Sequence, residues 1–309
     1  MNKIEFGDCR ETMRRWKEQG IKAQTCVTSP PYYGLRDYGH EGQLGLEETP
    51  EQYIKAMVEV FRCVWDVLED DGTLWLNIGD SYNGSGGQGT KPNIMSKEAA
   101  EGRGGKAIKV DGIKPKDLIG IPWMMAFALR ADGWYLRQDI IWHKPNPMPE
   151  SVTDRCTKAH EYIFLMSKSQ KYYYDTESIQ EKAERPEGPG NITHAYQNGA
   201  IYGLPERSSC QSGLLNIGAR ETRNKRSVWT VATKPYAGAH FAVFPSDLIE
   251  PCILAGAPVG GIVLDPFMGS GTTAQVAQNL GRQYLGCELN PDYCQLQNIR
   301  TAQQSLDFI

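Results

Sequence analysis

This sequence lacks several features that would assign it to other classes of protein. No two of its eight cysteines have the two-residue spacing of a zinc knuckle or a redox dithiol, so we expect no metal site and a reducing, cytoplasmic location. No apolar run approaches the roughly 20 residues that span a bilayer. The N-terminus does not resemble a signal peptide either, so we expect no membrane insertion.

A broad excess of positive charge is also missing, because the formal net charge is -4 at pH 7. A protein that coats nucleic acid non-specifically needs a broad basic surface, so the charge argues against that class while it still permits a local basic patch. The 309 residues, 40% of them hydrophobic, can bury a substantial core. We expect a globular enzyme with one large α/β domain and a smaller appended region.

The apolar residues alternate between strand-like and helix-like patterns. Residues 4–6, 24–28 and 73–78 are typical of short strands, and residues 12–19 and 50–69 are typical of helices between them. This rhythm predicts a mostly parallel sheet covered by helices. Further along, we expect a helix at 118–131, a strand at 136–142, and a closing hairpin made of residues 161–166 and 171–174.

Two stretches interrupt this rhythm. Residues 81–115 are rich in glycine and carry scattered basic residues, which predicts a mobile surface loop. Residues 175–227 are irregular in pattern and end in a basic run. The predicted organisation is therefore a first part of the main domain at 1–174, an inserted region at 175–227, and a second part of the main domain at 228–309.

The glycine-rich stretch contains one motif that has to be weighed against a nucleotide site. Its segment 84–89 satisfies the G-x-G-x-x-G pattern of a dinucleotide-binding turn. Pro92 follows almost at once, and no amphipathic helix opens there as that turn requires. A flexible loop is the better interpretation, and a dehydrogenase has no other support in the sequence.

A second glycine turn has the features of a cofactor site. The apolar segment 261–264 ends in Asp265, and Gly269 and Gly271 allow a tight turn before a helix over 272–280. Glu288 ends the next predicted strand, where an acid can accept hydrogen bonds from both hydroxyls of a ribose. The turn lacks a phosphate-binding lysine, which suits S-adenosylmethionine, because that compound has a ribose and a carboxylate but no phosphate.

A third motif, Thr28-Ser29-Pro30-Pro31-Tyr32-Tyr33, follows the predicted strand at 24–28. Together with the segment from Asp265 to Thr273, it resembles the catalytic and cofactor motifs of the DNA amino-methyltransferases, in the order that the β group shows. The resemblance covers most of the chain from Asp8 to about Asn298, except the glycine-rich loop and residues 175–227. It implies a Rossmann-like, doubly wound α/β fold with a mixed, mostly parallel sheet, helices on both faces, circularly permuted motifs and an irregular target-recognition insertion.

The resemblance implies methyl transfer from S-adenosylmethionine to the exocyclic amine of a flipped base in double-stranded DNA. Such an amine is a poor nucleophile because its lone pair is delocalised into the ring. The Ser29 hydroxyl and the Pro30 carbonyl can accept its hydrogens, Pro30 and Pro31 fix the backbone, and Tyr32 can stack on the extruded base. Members with serine at the first position are mostly cytosine-N4 enzymes and those with aspartate mostly adenine-N6 enzymes, so Ser29 favours cytosine.

The resemblance also assigns binding residues. The predicted cofactor contacts are Asp8, Thr28, His240, Phe241, Phe244, Pro245, Asp265, Phe267, Gly269, Gly271, Thr272 and Glu288. The predicted DNA contacts, to phosphates or base edges, are Arg220, Arg223, Lys225, Arg226 and Lys144. Lys144 is expected to contact phosphate or to shape the base pocket, and an equal alternative is that it only caps the sheet.

Several alternatives stay open at this point. The acceptor is cytosine N4 or adenine N6 of DNA, or an amine of RNA or protein, or the chain is a non-catalytic DNA-binding regulator that keeps the fold. The family resemblance places the chain in a prokaryote or a phage. It leaves open whether the chain forms a homodimer, as many β-group relatives do, and whether a cognate restriction endonuclease accompanies it.

Overall fold

The computed structural model describes residues 1–35, 37, 39–84, 109–183, 221–234 and 244–302. Five predicted features therefore lie wholly or mostly outside the described residues: the glycine-rich segment beyond Gly84, the insertion at 175–227 between Ala183 and Glu221, Arg220, His240 and Phe241. Contacts divide the chain into two units, one made of residues 1–175 and 227–309 and the other of residues 176–226.

The first unit is built on an eight-stranded sheet with the strand order β1-β10-β9-β2-β3-β5-β4-β8. All neighbouring strands are parallel except for the two pairs that involve β5, so β5 alone runs against the rest. The second unit contains a two-stranded antiparallel pair, β6 with β7. The strands are β1 Asn2–Phe6, β2 Ala23–Thr28, β3 Leu68–Ile78, β4 Tyr135–His143, β5 His160–Ser167, β6 Glu181–Lys182, β7 Thr222–Arg223, β8 Val228–Thr230, β9 Ile262–Asp265 and β10 Gln283–Glu288.

Six α-helices are described, and they pack in two groups. The helices are α1 Cys9–Glu18, α2 Pro50–Val67, α3 Ile121–Ala131, α4 Ser246–Gly256, α5 Thr272–Asn279 and α6 Cys294–Ala302. Helix α2 contacts both α1 and α3, and α5 contacts both α4 and α6. Local chemistry fixes the start of α2, where the Thr49 hydroxyl accepts the Gln52 amide at 3.2 Å and Pro50 occupies the first turn. No described helix is long and apolar enough to cross a membrane.

The burial of the central strands explains why helices cover the sheet. Every residue of β3 from Gly72 to Ile78 is buried, with no alternation between exposed and buried positions. A strand with this pattern needs apolar cover on both faces, as in doubly wound proteins. The predicted α/β fold with a mixed, mostly parallel sheet is thereby confirmed.

The predicted hairpin of residues 161–166 and 171–174 is wrong. Residues 160–167 do form a strand, but it lies between β3 and β4 and pairs with both. Residues 171–174 form no strand. The Tyr173 amide donates to the Asp71 carbonyl at 2.9 Å, and the Tyr174 ring stacks on Trp75 with centroids 6.2 Å apart. Ring packing on the sheet therefore explains the tyrosine run better than strand pairing does.

The sheet has a topological switch point between β2 and β9. These strands are neighbours, yet the chain continues from β2 to β3 on one side and from β9 to β10 on the other. Ligands of open α/β sheets bind in the crevice outside the carboxyl ends of the strands at such a point. Both sequence motifs begin at these two carboxyl ends.

Candidate active site

A cavity of about 360 Å³ opens at the carboxyl ends of the parallel strands, and both sequence motifs line it. Ser29 follows β2 and Gly269 follows β9, so two stretches about 240 residues apart in sequence share one space. The predicted residues that line it are Asp8, Ser29, Pro30, Pro31, Tyr32, Lys144, Phe244, Asp265, Phe267, Gly269, Thr272 and Glu288. Thr28, Pro245 and Gly271 are buried beside the cavity without lining it.

Asp265 ties the two motifs together. Its Oδ1 accepts the Thr28 hydroxyl at 2.6 Å and the Phe267 amide at 3.0 Å, and its Oδ2 accepts the Thr273 hydroxyl at 2.6 Å. The side chain is almost fully buried, and this burial raises its pKa to about 6 despite the three hydrogen bonds. Thr28, a predicted cofactor contact, has its hydroxyl directed to Asp265 and so holds the catalytic turn against the cofactor turn.

Glu288 shapes the cofactor turn from the neighbouring strand. Its Oε2 accepts the Gly269 amide at 2.7 Å, which fixes a glycine whose φ of 54° lies in the left-handed region. Its Oε1 accepts the Asn290 amide at 2.8 Å. Burial raises the pKa of Glu288. A carboxylate offers about four acceptor sites, so Glu288 keeps acceptor capacity for a ligand hydroxyl.

The polar groups of this half of the cavity fit S-adenosylmethionine. Glu288 offers acceptors for two ribose hydroxyls, and Asp8 and Asp265 add negative charge that suits a cationic sulfonium. Ser270 also lines the cavity, and its Oγ is buried with no hydrogen-bond partner among the described residues. A buried hydroxyl in that situation is normally satisfied by a ligand or water.

Asp8 has a structural task besides its place in the cavity. Its Oδ1 accepts the Arg10 amide at 2.7 Å and caps α1, and the Arg10 guanidinium binds both carboxylate oxygens. This guanidinium lowers the pKa of Asp8. The carboxylate is therefore an anion at neutral pH, held at the edge of the cavity next to the end of β1.

In the catalytic half, Tyr32 lies at the centre of a hydrogen-bond network. Its hydroxyl donates to Glu161 Oε2 at 2.8 Å and lies 3.3 Å from Asn77 Oδ1. The Ser29 hydroxyl donates to the Tyr32 oxygen at 3.5 Å. Lys144 donates to the other oxygen of Glu161, and its ammonium lies 4.2 Å from the ring centroid of Trp142. Lys144 thus lies in the wall of the cavity.

Close packing fixes the backbone and the ring of the catalytic turn. Tyr53, fully buried on α2, donates its hydroxyl to the Pro31 carbonyl at 2.8 Å. A Cβ atom added at Gly79 would lie 2.7 Å from Cε2 of Tyr32, and one added at Gly45 would lie 3.2 Å from the Tyr32 carbonyl. The turn thus needs glycine on both sides, because a larger residue would push the tyrosine away.

Several residues of the site could not be found from the motifs alone. Asn77 lies near the end of β3, Gly79 comes directly after that strand, and Glu161 lies near the start of β5. None of them belongs to a recognisable local sequence pattern. The segment after the catalytic turn was also missed. It contributes Leu35, His40, Gly42, Gln43 and Leu44 to the wall of the cavity.

The second unit spans four of the predicted DNA-contacting residues, and the structure describes three of them, Arg223, Lys225 and Arg226. Within it, Arg223 and Arg226 donate through Nε to the same Glu181 oxygen, at 2.8 and 2.6 Å. Although burial opposes it, these hydrogen bonds lower the pKa of Glu181. Lys225 lies between the two arginines in sequence. A single carboxylate on β6 therefore binds two arginines of the basic run.

Sequence comparisons identify close relatives over nearly the whole chain. A family model described as DNA methylase, of the N6 and N4 methyltransferases, matches residues 23–299. The type II methyltransferase M.SmaI of Serratia marcescens is 48% identical over 305 residues, which cover 98% of this chain and 91% of that protein. The type II methyltransferase M.Cfr9I of Citrobacter freundii is 47% identical, over 93% of this chain and 83% of its own length.

Solved structures share the same fold at low sequence identity. The PvuII DNA methyltransferase, described as cytosine-N4-specific, superposes with a TM-score of 0.60 at 16% identity, covering 97% of this chain and 86% of that one. The complex of M1.HpyAVI with S-adenosylmethionine gives a TM-score of 0.55 at 18% identity, covering 97% of this chain and all of that one. At this identity the likeness concerns the fold.

Proposed function

Since this chain belongs to the N6/N4 family of DNA methylases, which use S-adenosylmethionine, we propose that it methylates the N4 amine of cytosine in DNA. The observation that carries the proposal is the single cavity shared by Ser29 and the cofactor turn. A serine, and not an aspartate, stands at the first catalytic position. In the family that residue is associated mostly with cytosine.

When bound, S-adenosylmethionine would supply a methyl group that is activated by the positively charged sulfur to which it is bonded. The chain's own task is then to present an amine whose lone pair is available. Ser29 Oγ and the Pro30 carbonyl are the proposed acceptors for the two amine hydrogens, and they draw the nitrogen toward tetrahedral geometry. Tyr32 is proposed to hold the base by stacking, and most of the rate gain comes from orientation.

The cofactor half of the site is proposed to act by binding alone. Glu288 accepts hydrogen bonds from the ribose hydroxyls, and Phe267 and Phe244 contribute apolar wall. The hydrogen bond from the Gly269 amide to Glu288 and the hydrogen bond from Thr28 to Asp265 hold the cofactor turn in a fixed position relative to the catalytic turn. No residue has to form a covalent bond to the substrate in this scheme, and the proton that the amine loses after methyl transfer goes to water or to a neighbouring acceptor.

The base assignment is tested by the product in cellular DNA. DNA from cells that express the protein is digested to nucleosides, and mass spectrometry identifies the methylated base. We expect N4-methylcytosine with the wild type, none with Ser29→Ala, and a normal amount with Ser151→Ala, a control at an exposed serine outside the cavity. Finding only N6-methyladenine would overturn the cytosine assignment in favour of the adenine-N6 alternative.

The class of macromolecule is tested separately. Tritiated methyl incorporation is measured side by side into DNA, RNA and protein. We expect incorporation into DNA only. Incorporation into RNA or protein at a comparable rate would revive the alternative amine acceptors.

We further propose that residues 176–226 recognise the target sequence. The support is the arginine pair Arg223 and Arg226, which Glu181 holds together. Guanidinium groups read guanine in the major groove and also bind phosphates. If Arg223 reads a base, Arg223→Ala relaxes specificity across a panel of duplexes, and Arg223→Lys does not restore it. A uniform loss on all duplexes would instead assign a phosphate contact.

A further inference from the structure

The catalytic hydroxyl can accept a hydrogen from the substrate only if its own proton points elsewhere. We propose that Glu161, acting through Tyr32, sets the direction of the hydrogen bonds so that Ser29 presents only lone pairs to the target amine. This inference rests on the proposed function, but it holds for the amine of cytosine or of adenine. Glu161 is thus a positioning residue for the reaction.

The need for such a device follows from the chemistry of a hydroxyl. Serine carries one O–H donor and two acceptor lone pairs, and its proton rotates to the best acceptor available. If that proton pointed at the substrate, it would bind the lone pair of the amine nitrogen. Those electrons are the ones that must attack the methyl group, so the wrong rotamer of the hydroxyl inhibits the reaction.

The described residues around the Tyr32 hydroxyl allow its proton to point in one direction only, away from Ser29. Glu161 Oε2, at 2.8 Å, belongs to a carboxylate and can only accept. Asn77 presents Oδ1 at 3.3 Å, and its orientation is fixed because Nδ2 donates to the Tyr162 carbonyl at 3.1 Å. Both neighbours are acceptors, so the Tyr32 proton points at them. Only lone pairs of the phenol oxygen then face Ser29, which must donate.

The network is built to keep this direction. Burial, together with the nearby charge of Glu161, raises the pKa of Tyr32 well above its usual range, so the phenol keeps its proton. Lys144 pairs with Glu161, and the two side chains are only 18% and 16% exposed. A charged acceptor at one end strengthens each hydrogen bond in such a chain.

The Ser29 to Tyr32 distance of 3.5 Å is long for a hydrogen bond between two hydroxyls. Catalytic hydrogen bonds are often long without substrate and shorten in the complex. The direction of the bond does not depend on its length, because it is set at the Glu161 end.

The substitution Glu161→Gln tests the direction and not merely the charge. Lys144 can only donate, so it takes the amide oxygen of the new side chain and leaves the NH2 group facing Tyr32. The phenol then accepts from this group, and its proton is left to two remaining acceptors, the neutral Asn77 Oδ1 at 3.3 Å and Ser29. Whenever it points at Ser29, the serine proton is released toward the amine. We expect the single-turnover rate of methyl transfer to fall roughly tenfold, less than the roughly 10²-fold loss typical when one oriented hydrogen-bonding group is removed completely, because Asn77 still accepts the phenol proton in part of the molecules.

Two further variants make the test specific. In the double variant Lys144→Met with Glu161→Gln, the amide oxygen is free to face Tyr32, so the rate recovers severalfold, roughly 3- to 5-fold, from that of Glu161→Gln alone. Tyr32→Phe keeps the stacking ring but removes the hydroxyl that connects Glu161 to Ser29, so it slows methyl transfer on its own. In that background Glu161→Gln has no further effect.

Calorimetry with S-adenosylmethionine and anisotropy with duplex DNA serve as controls, because a directional role leaves both affinities near those of the wild type. The inference is overturned if Lys144→Met gives no recovery, or if the effects of Tyr32→Phe and Glu161→Gln multiply. If Glu161→Gln does not fold, an unchanged rate in Tyr32→Phe overturns it instead. Failure of the cytosine assignment is seen independently, in the product that the wild type makes.

Discussion

The buried carboxylate of Asp265 gives the protein an unusual dependence of stability on pH. Its two oxygens accept three hydrogen bonds that join the catalytic turn, the cofactor turn and α5. Burial nevertheless raises its pKa from 3.8 to about 6. We predict that Asp265→Asn changes the slope of stability against pH between about 4 and 6, besides changing stability itself.

The sign follows from linkage. Between pH 3.8 and about 6 the folded state holds the Asp265 proton and the unfolded state has lost it. The unfolded state therefore binds fewer protons, and the free energy of unfolding falls as pH rises through this window. Each pKa unit corresponds to about 1.36 kcal/mol, so the full effect is about 3 kcal/mol.

The assay compares urea denaturation of wild type and Asp265→Asn at several pH values from 4 to 8. Other groups titrate in the same range, so the informative quantity is the difference between the two proteins at each pH. The wild type loses up to about 3 kcal/mol relative to the variant as pH rises from 4 to 7. A difference that is flat, or that grows in favour of the wild type, would refute the reasoning.

Glu5 provides a control with the opposite sign. Burial opposes ionisation there, but hydrogen bonds from Lys3, Trp16 and Arg15 lower its pKa to about 2. Its contribution to stability is present above its usual pKa of 4.5 and is lost as pH falls toward 2. Glu5→Gln should therefore leave the window between pH 5 and 7 unchanged, in contrast to Asp265→Asn.

Three further outcomes are expected. Gly79→Ala, whose Cβ would lie 2.7 Å from the Tyr32 ring, should slow methyl transfer roughly 10²-fold in single turnover, with S-adenosylmethionine affinity unchanged by calorimetry. Tyr53→Phe leaves the Pro31 carbonyl without its hydrogen-bond donor, so the free energy of unfolding measured by urea denaturation should fall by about 1–3 kcal/mol. Binding of the cationic cofactor should favour the charged form of Asp265, so calorimetry in buffers of different ionisation enthalpy should detect proton release near pH 6.

Local pattern was enough to predict most of the fold. The strands and helices from Asn2 to Ile78, and from Ile262 to Glu288, follow the alternation of apolar runs and amphipathic segments. Strands β2 and β3 pair as consecutive strands do, and so do β9 and β10, whereas β1 pairs with β10 and not with β2. The position of β5 between β3 and β4 has no such local signal, because it depends on pairing across long sequence separations.

The residues of the site likewise fall into two groups, those that the sequence predicts and those that only the folded structure reveals. The motif that contains Ser29 and the motif that contains Gly269 are each a continuous stretch of sequence. Adjacent residues determine the backbone geometry of each motif, so each can be recognised from the sequence. Asn77, Gly79 and Glu161 act through distances to Tyr32 that only the folded sheet defines. The cofactor roles of individual residues remain predictions, although most of the described ones line the cavity.

The reversed strand β5 links the architecture to the proposed chemistry. Because β5 runs against its neighbours, its first residues lie at the edge of the sheet where β3 and β4 end: Tyr162 pairs with Ile78, and Glu161 with Trp142. A parallel strand in the same place would bring its last residues, around Ser167, to that edge. The carboxylate that directs the hydroxyl of Ser29 is therefore available only in the antiparallel arrangement. The single strand that breaks the parallel pattern thus supplies the acceptor that the catalytic turn lacks.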